Sequence, residues 1–289
     1  INLKFIMINE KKKITFFDYP FPYIKIDNFL EKNFFSSLEN NFPKIADFKK
    51  NTRTVNRMDF DTTFGDNLYI KLISEIDEYQ KFHNYVYSKE FINYFLNLFK
   101  DSINKEFLNK NIIDNILNYQ IRTEPFEVGK IIGKKDLKRN DGKFLYPRLD
   151  IGAGIEGYGK KNGGGGIHID NPQRLISMLF YVGGYKKIIG GEHRVWKKVK
   201  NKDVLEIHDS IKPEKNVLII SLQNDRAFHD VNPINFIDGS RNAFYMAISS
   251  NVKIWKKVKR NKFNIKFNRN RVDLNFFEKL KNLLKNLRF

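Results

Sequence analysis

His168 and Asp170 stand one residue apart in GGGGIHIDNPQ (163–173). If this stretch is extended, residues i and i+2 point to one face, so an imidazole nitrogen and a carboxylate oxygen lie side by side. A metal site needs a third donor from another strand. His229, in DRAFHDVNPI, is the best placed because it follows the apolar strand NVLIISL. Two imidazoles and one carboxylate on one side of an ion leave three positions open, an arrangement suited to non-haem Fe(II) activating O2 with a bidentate co-substrate. Zinc prefers closed tetrahedral sites or a single open position. The chain has no cysteine and five histidines, which excludes disulfides, thiolate sites and cysteine nucleophiles and leaves histidine and carboxylate as metal donors.

A His-x-Asp pair is common by chance, and Arg241 in RNAFYMAISS adds the weight. A guanidinium directed into a barrel is costly unless paired, and its fork fits a carboxylate through two hydrogen bonds. It is the group that would anchor the far end of a dicarboxylate whose other end chelates the metal. His193 in GGEHRVWKK, His208 in VLEIHDSIKP and His83 have no neighbour at convincing ligand spacing and read as partly exposed or hydrogen-bonded side chains.

Three regions would position these residues. Residues 1–120 read as a mostly helical support after an opening strand around Tyr23 to Ile26. Asp27 or Asn28 can cap a helix carrying Phe29, Leu30, Phe34 and Leu38, and apolar spacings of three and four recur in NLYIKLISEIDEY, KEFINYFLNLF and FLNKNIIDNIL. In residues 144–252 the period shifts towards two, and LISMLFYV, HRVWKKV, NVLIISL and AFYMAISS alternate with turn residues. That pattern predicts a sandwich or barrel such as a double-stranded β-helix. Residues 253–289 hold the densest basic run and a stripe of Phe276, Leu280, Leu283 and Leu287, which predicts a C-terminal helix docked on the sheet, with a dimer contact as the alternative. The whole is read as one domain. The stretches 124–142 and 152–166, rich in glycine and lysine, are expected to flank the barrel mouth as lids, and the glycines before His168 to form a mobile strap.

The 289 residues are 41% hydrophobic and 15% aromatic, enough to bury a sizeable core. No run approaches the roughly 18 apolar residues of a membrane helix. The start, INLKFIMINEKKK, places its apolar part before its lysines, so the expectation is a cytoplasmic chain without signal peptide or membrane span. A formal charge of +19 raises nucleic acid as a partner. The lysines, however, are scattered among asparagine, isoleucine and phenylalanine, and this reading is not favoured.

The quoted motifs are similar to those of the Fe(II)- and 2-oxoglutarate-dependent dioxygenases, in their prolyl-hydroxylase-like branch. HIDNPQRLISMLFYV resembles the metal loop and following strand, and GGEHRVW the Gly-Gly-Glu turn and the strand after it. IKPEKNVLIISLQNDRAFHDVNP resembles the run bearing the distal histidine, GSRNAFYMAIS the arginine strand, and PFPYIKIDNFL the lead-in. The resemblance implies an α+β fold: a double-stranded β-helix (jelly-roll) core, packing helices mainly N-terminal, and a C-terminal helix. It implies that His168, Asp170 and His229 bind Fe(II) at the catalytic centre, that Arg241 and Tyr181 hold the distal carboxylate of 2-oxoglutarate, and that Ser177 lines this pocket. O2 and 2-oxoglutarate would be consumed, succinate and CO2 formed, and a substrate hydroxylated, with ascorbate as a reductant.

Two departures stand out. A tyrosine usual on the strand before the metal loop is absent; Ile151 lies near its place, and Tyr146, Arg148 and Tyr158 are displaced from it. The longer spacing from His229 to Arg241 predicts a larger turn at Asn235 to Gly239. The substrate implied first is a peptidyl proline; a sugar, a nucleotide-linked metabolite or a free amino acid is nearly as well supported. The other classes are a basic metal-containing binding module without catalysis, and the same chemistry on nucleic acid.

Overall fold

The computed structural model describes residues 7–50, 57–61, 67–108, 115–123, 142–159, 166–256 and 264–265. Mostly sheet, it has a jelly-roll-like core. A large sheet contains β1 (Lys13–Phe17), β2 (Tyr23–Asp27), β3 (Lys49–Lys50), β4 (Arg57–Asp61), β5 (Gln120–Ile121), β6 (Phe144–Gly154), β7 (Arg174–Ile189), β10 (Val217–Leu222) and β12 (Phe236–Ser250). Its strands run β1-β2-β10-β7-β12-β6-β4-β3, with β5 parallel to β6. A small sheet runs β11-β8-β9-β13, formed by His229–Val231, His193–Lys198, Val204–Ile211 and Asn264–Ile265.

The period of two in β7, β10 and β12 divides their side chains between two cores. Ile176, Met178, Phe180, Leu218, Ile220, Phe244, Met246 and Ile248 face the helices. Leu179, Tyr181, Val217, Ile219 and Ala243 face Val195 and Ile211 of the small sheet. Phe180 is a hub on the helix side, with the rings of Phe29, Phe35, Phe82 and Phe244 centred 5.4 to 6.2 Å away. Burying each such ring contributes about 2–3 kcal/mol.

The helices on that face are α1 (Lys32–Asn40), α2 (Asn67–Glu75), α3 (Asp77–Val86), α4 (Lys89–Leu98) and α5 (Lys100–Ile103). α3 buries Tyr79, Phe82 and Val86 at spacings of three and four, and α4 buries Phe91, Ile92, Phe95 and Leu96. Ser88 caps α4 by accepting from the amide of Phe91 at 3.1 Å. The third expected helix, in FLNKNIIDNIL, is described only at its edges, as a π turn (Asn104–Leu108) and a 3-10 turn (Ile116–Asn118).

The support region departs from its reading in two ways. It supplies four strands as well as helices, β1 and β2 as a hairpin and β3 and β4 at the far edge. α1 also starts later than a cap at Asp27 or Asn28 would place it. Asn28 turns the chain at φ 52°, and Asn216 clamps the backbone of Leu30 in both directions: its Oδ1 accepts from Leu30 N (2.9 Å) and its Nδ2 donates to Leu30 O (2.8 Å). A residue held that way cannot join the helical ladder.

The turn expected at Asn235 to Gly239 is instead absorbed into β12, which begins at Phe236 and slips register against β7 between Ile237 and Ala243. Extra residues in an antiparallel pair are accommodated as bulges. The C-terminal helix, the 124–142 stretch up to Asp141, the glycine strap before Gly166 and most of the basic run lie outside the described residues. Of that run, Ile254 and Trp255 are buried and strap the metal loop, through Ile254 N to Pro172 O (2.9 Å) and Trp255 Nε1 to Arg174 O (3.0 Å). Among the described residues no helix is long and apolar enough to cross a membrane.

Candidate metal centre and anion pocket

The structure brings His168, Asp170 and His229 together, one donor atom of each lying within 4.8 Å of the others. His168 Nε2 is 4.0 Å from Asp170 Oδ1, and the two imidazole centroids are 4.5 Å apart. His168 does not sit in a regular strand. It makes an isolated antiparallel bridge with His229, and Asp170 leads into a turn closed by Arg174 N donating to Asn171 O (2.8 Å). A proline at 172 cannot donate to a ladder, so the strand waits until Arg174.

Side chains therefore hold Asp170. Arg174 Nη1 donates to its Oδ1 at 3.1 Å and the Ser177 hydroxyl donates to its Oδ2. Burial alone would raise its carboxyl; Arg174, the two histidines and Ser177 outweigh that and hold it well below the usual carboxylate range. Ser177, read as lining the pocket, is thus a partner of the proposed ligand.

Each histidine turns Nδ1 to a carbonyl two residues upstream, His168 to Gly166 O and His229 to Ala227 O, both at 2.9 Å. A carbonyl only accepts, so Nδ1 carries the proton and Nε2 keeps its lone pair for a metal. Burial, and then His229, lower the His168 pKa to about 4, so it is neutral at neutral pH, as a ligand must be. Asp230, next to His229, ties β11 to β8 by accepting from Arg194 Nε and Trp196 Nε1, both at 2.8 Å. Two imidazoles and a carboxylate with occupied outer hydrogen bonds are a donor set that fits Fe(II).

Arg241 is wholly buried, on the inward parity of β12 with Ala243. Nη1 donates to Gly191 O at 2.7 Å and Nη2 to the Tyr245 hydroxyl at 3.2 Å. Its Cζ lies 5.0 Å from the Tyr158 ring centre and 5.6 Å from that of Tyr181. Among the described residues no carboxylate is paired with it, and its Nε has no hydrogen-bond partner. The Tyr181 hydroxyl, also buried, has none either. Burial raises the Tyr181 pKa, so it remains a neutral donor. A buried cation with one N–H unpartnered and no carboxylate beside it among the described residues, together with a buried unpartnered hydroxyl, fits a carboxylate ligand.

Two placements differ from the sequence reading, while Ile151, near the place of the usual tyrosine, packs in the helix-side core. Tyr158, displaced in sequence, comes back under Arg241 because Gly157 N donates to Ile234 O and Ile234 N to Tyr158 O, both at 2.8 Å. His193 is not a surface residue: it is 7% exposed, its ring centre is 5.5 Å from that of His229, and its Nε2 lacks a partner. Burial, then His229 and Arg241, push its pKa well down. Its parity with Val195 on β8 was the available signal, along with that of Tyr245 with Arg241 on β12. His83 Nδ1 and the Tyr69 hydroxyl share a hydrogen bond (2.6 Å) inside the helical layer, and His208 is exposed against Tyr19.

No family model and no curated protein matches the chain. Solved structures similar to it include a prolyl 4-hydroxylase from Phytophthora capsici (16% identity, TM-score 0.42, 78% of this chain and 58% of that one). An oxidoreductase of the 2OG-Fe(II) oxygenase family from Burkholderia pseudomallei matches at 16% identity and TM-score 0.27, over 42% of this chain and 49% of that one. The viral collagen prolyl hydroxylase of Paramecium bursaria Chlorella virus 1 matches at 17% identity and TM-score 0.38, over 78% and 94%. The chain thus spans 58% and 49% of the first two.

Proposed function

We propose that the chain is a non-haem Fe(II)- and 2-oxoglutarate-dependent oxygenase that hydroxylates a substrate, a peptidyl proline being the first candidate. In this reading residues 1–289 are one domain and the two sheets are the halves of a double-stranded β-helix. The observation that carries it is Arg241: a fully buried guanidinium without a carboxylate partner among the described residues, in the barrel that also holds a two-histidine, one-carboxylate group. A structural metal alone would give such a cation no purpose.

His168, Asp170 and His229 would hold the iron through Nε2, a carboxylate oxygen and Nε2. An iron bound there would supply the coupling of oxidative decarboxylation of 2-oxoglutarate by O2, yielding succinate and CO2, to insertion of one oxygen atom into a substrate C–H bond. Arg241 and the Tyr181 hydroxyl bind the distal carboxylate and so fix the orientation of the 2-oxo acid. The buried aromatic and aliphatic walls keep water from this end of the pocket.

Incubation with Fe(II), ascorbate and 2-oxoglutarate in air, with and without a panel of proline peptides and metabolites, tests the reading through succinate formation. Succinate that depends on iron and rises with one class of substrate supports it. No succinate under any condition, together with no binding of 2-oxoglutarate, overturns it in favour of a basic binding module.

A further inference from the structure

His193 is near the metal cluster through His229 and near the anchor of Arg241 through Gly191. On β8 it pairs with Val231 of β11 and Ile211 of β9, and it shares the inward parity of Val195. One neighbour is the His229 ring, at the metal end. Towards the other end, Gly191, two residues earlier, supplies the carbonyl that aims Arg241. His193 is not itself among the three clustered metal donors.

A buried ring nitrogen without a partner is costly, and buried polar groups are nearly always satisfied. Three such atoms among the described residues, His193 Nε2, Arg241 Nε and the Tyr181 hydroxyl, belong to side chains on the inward parity of β8, β12 and β7, the faces that meet in the core between the two sheets. All three are satisfied together by a ligand that is rich in acceptors and negatively charged, which describes a carboxylate. A neutral imidazole protonated at Nε2 donates to it directly.

We propose that His193 is a further binding residue for the dicarboxylate co-substrate, donating from Nε2 to the distal carboxylate beside Arg241 and Tyr181. This rests on the reading of the site as a 2-oxoglutarate pocket. Three donors from β7, β8 and β12 would then converge on one anion, so that the small sheet as well as the large one selects the co-substrate.

The test is calorimetric titration of the full chain loaded with redox-silent Mn(II), using 2-oxoglutarate and, as a control lacking the distal carboxylate, 2-oxopentanoate. The wild type is compared with His193→Leu, His193→Phe and His193→Gln. Both apolar variants should bind 2-oxoglutarate about tenfold to a hundredfold more weakly, the loss of one charge-assisted hydrogen bond. His193→Gln, with an amide N–H to offer, should recover most of that loss, while 2-oxopentanoate and Mn(II) binding stay unchanged throughout. Unweakened binding by the apolar variants overturns the role of His193 but leaves the pocket reading standing. So does a glutamine variant as weak as leucine, because shape and not the hydrogen bond would then matter. Loss of Mn(II) from both apolar variants overturns it too, since His193 would then belong to the framework of the metal centre. If the wild type itself does not bind 2-oxoglutarate, the pocket reading falls and this inference with it.

Discussion

His168 and His229 hold each other through both backbone amides, His168 N to His229 O at 3.0 Å and the reverse bond at 2.9 Å. This lone bridge makes the spacing of the two imidazoles a property of the backbone. Asp170, by contrast, depends on side chains, and the two kinds of support should respond differently to mutation.

Asp170→Ala should abolish tight Fe(II) or Mn(II) binding and with it succinate formation. Ser177→Ala, which removes one donor to the carboxylate, should retain the site with roughly tenfold weaker metal affinity. Metal titration of both variants reads the difference, and full succinate production by Asp170→Ala would sink the metal assignment.

Arg241→Lys keeps the charge but loses the fork that serves Gly191, Tyr245 and a carboxylate at once. Binding of 2-oxoglutarate should weaken about tenfold to a hundredfold. Calorimetry with a 2-oxo monocarboxylate should show no matching loss, since that ligand lacks the group Arg241 is proposed to hold.

Gly190 occupies a backbone with φ near 90°, and a Cβ there would come within 1.9 Å of Pro233 O. Gly190→Ala therefore adds strain to a clash with immobile backbone and should cost roughly 3 kcal/mol or more in urea unfolding. Because Gly191 O aims Arg241, the folded fraction should also bind 2-oxoglutarate less tightly.

Burial lowers the His83 pKa to about 4 from 6.5. The folded state then binds fewer protons than the unfolded state between those values, so stability is fully present above pH 6.5 and falls as pH drops towards 4. The share of His83 is about 3 kcal/mol. His83→Leu combined with Tyr69→Phe, which removes both ends of their hydrogen bond, should flatten that part of the curve in denaturant titrations at pH 7, 5.5 and 4.

The donor set of the candidate site was legible in the sequence because it depends on residue types. His168, Asp170, His229 and Arg241 are polar groups in strands and turns where packing has no use for them. The period of two in LISMLFYV and AFYMAISS likewise announced strands with two different faces. Only the tertiary structure decided which of the remaining polar residues meet in the pocket. Tyr245 and His193 reach it through the pairings of β12 and β8, and Tyr158 through loop bonds to Ile234, while Ile151 is turned away by one step of parity. A one-residue change of register exchanges the two faces of a strand, and register is set by long-range partners. The clamp of Asn216 on Leu30, which delayed α1, has the same origin: 186 residues separate the two, and no local pattern encodes the contact.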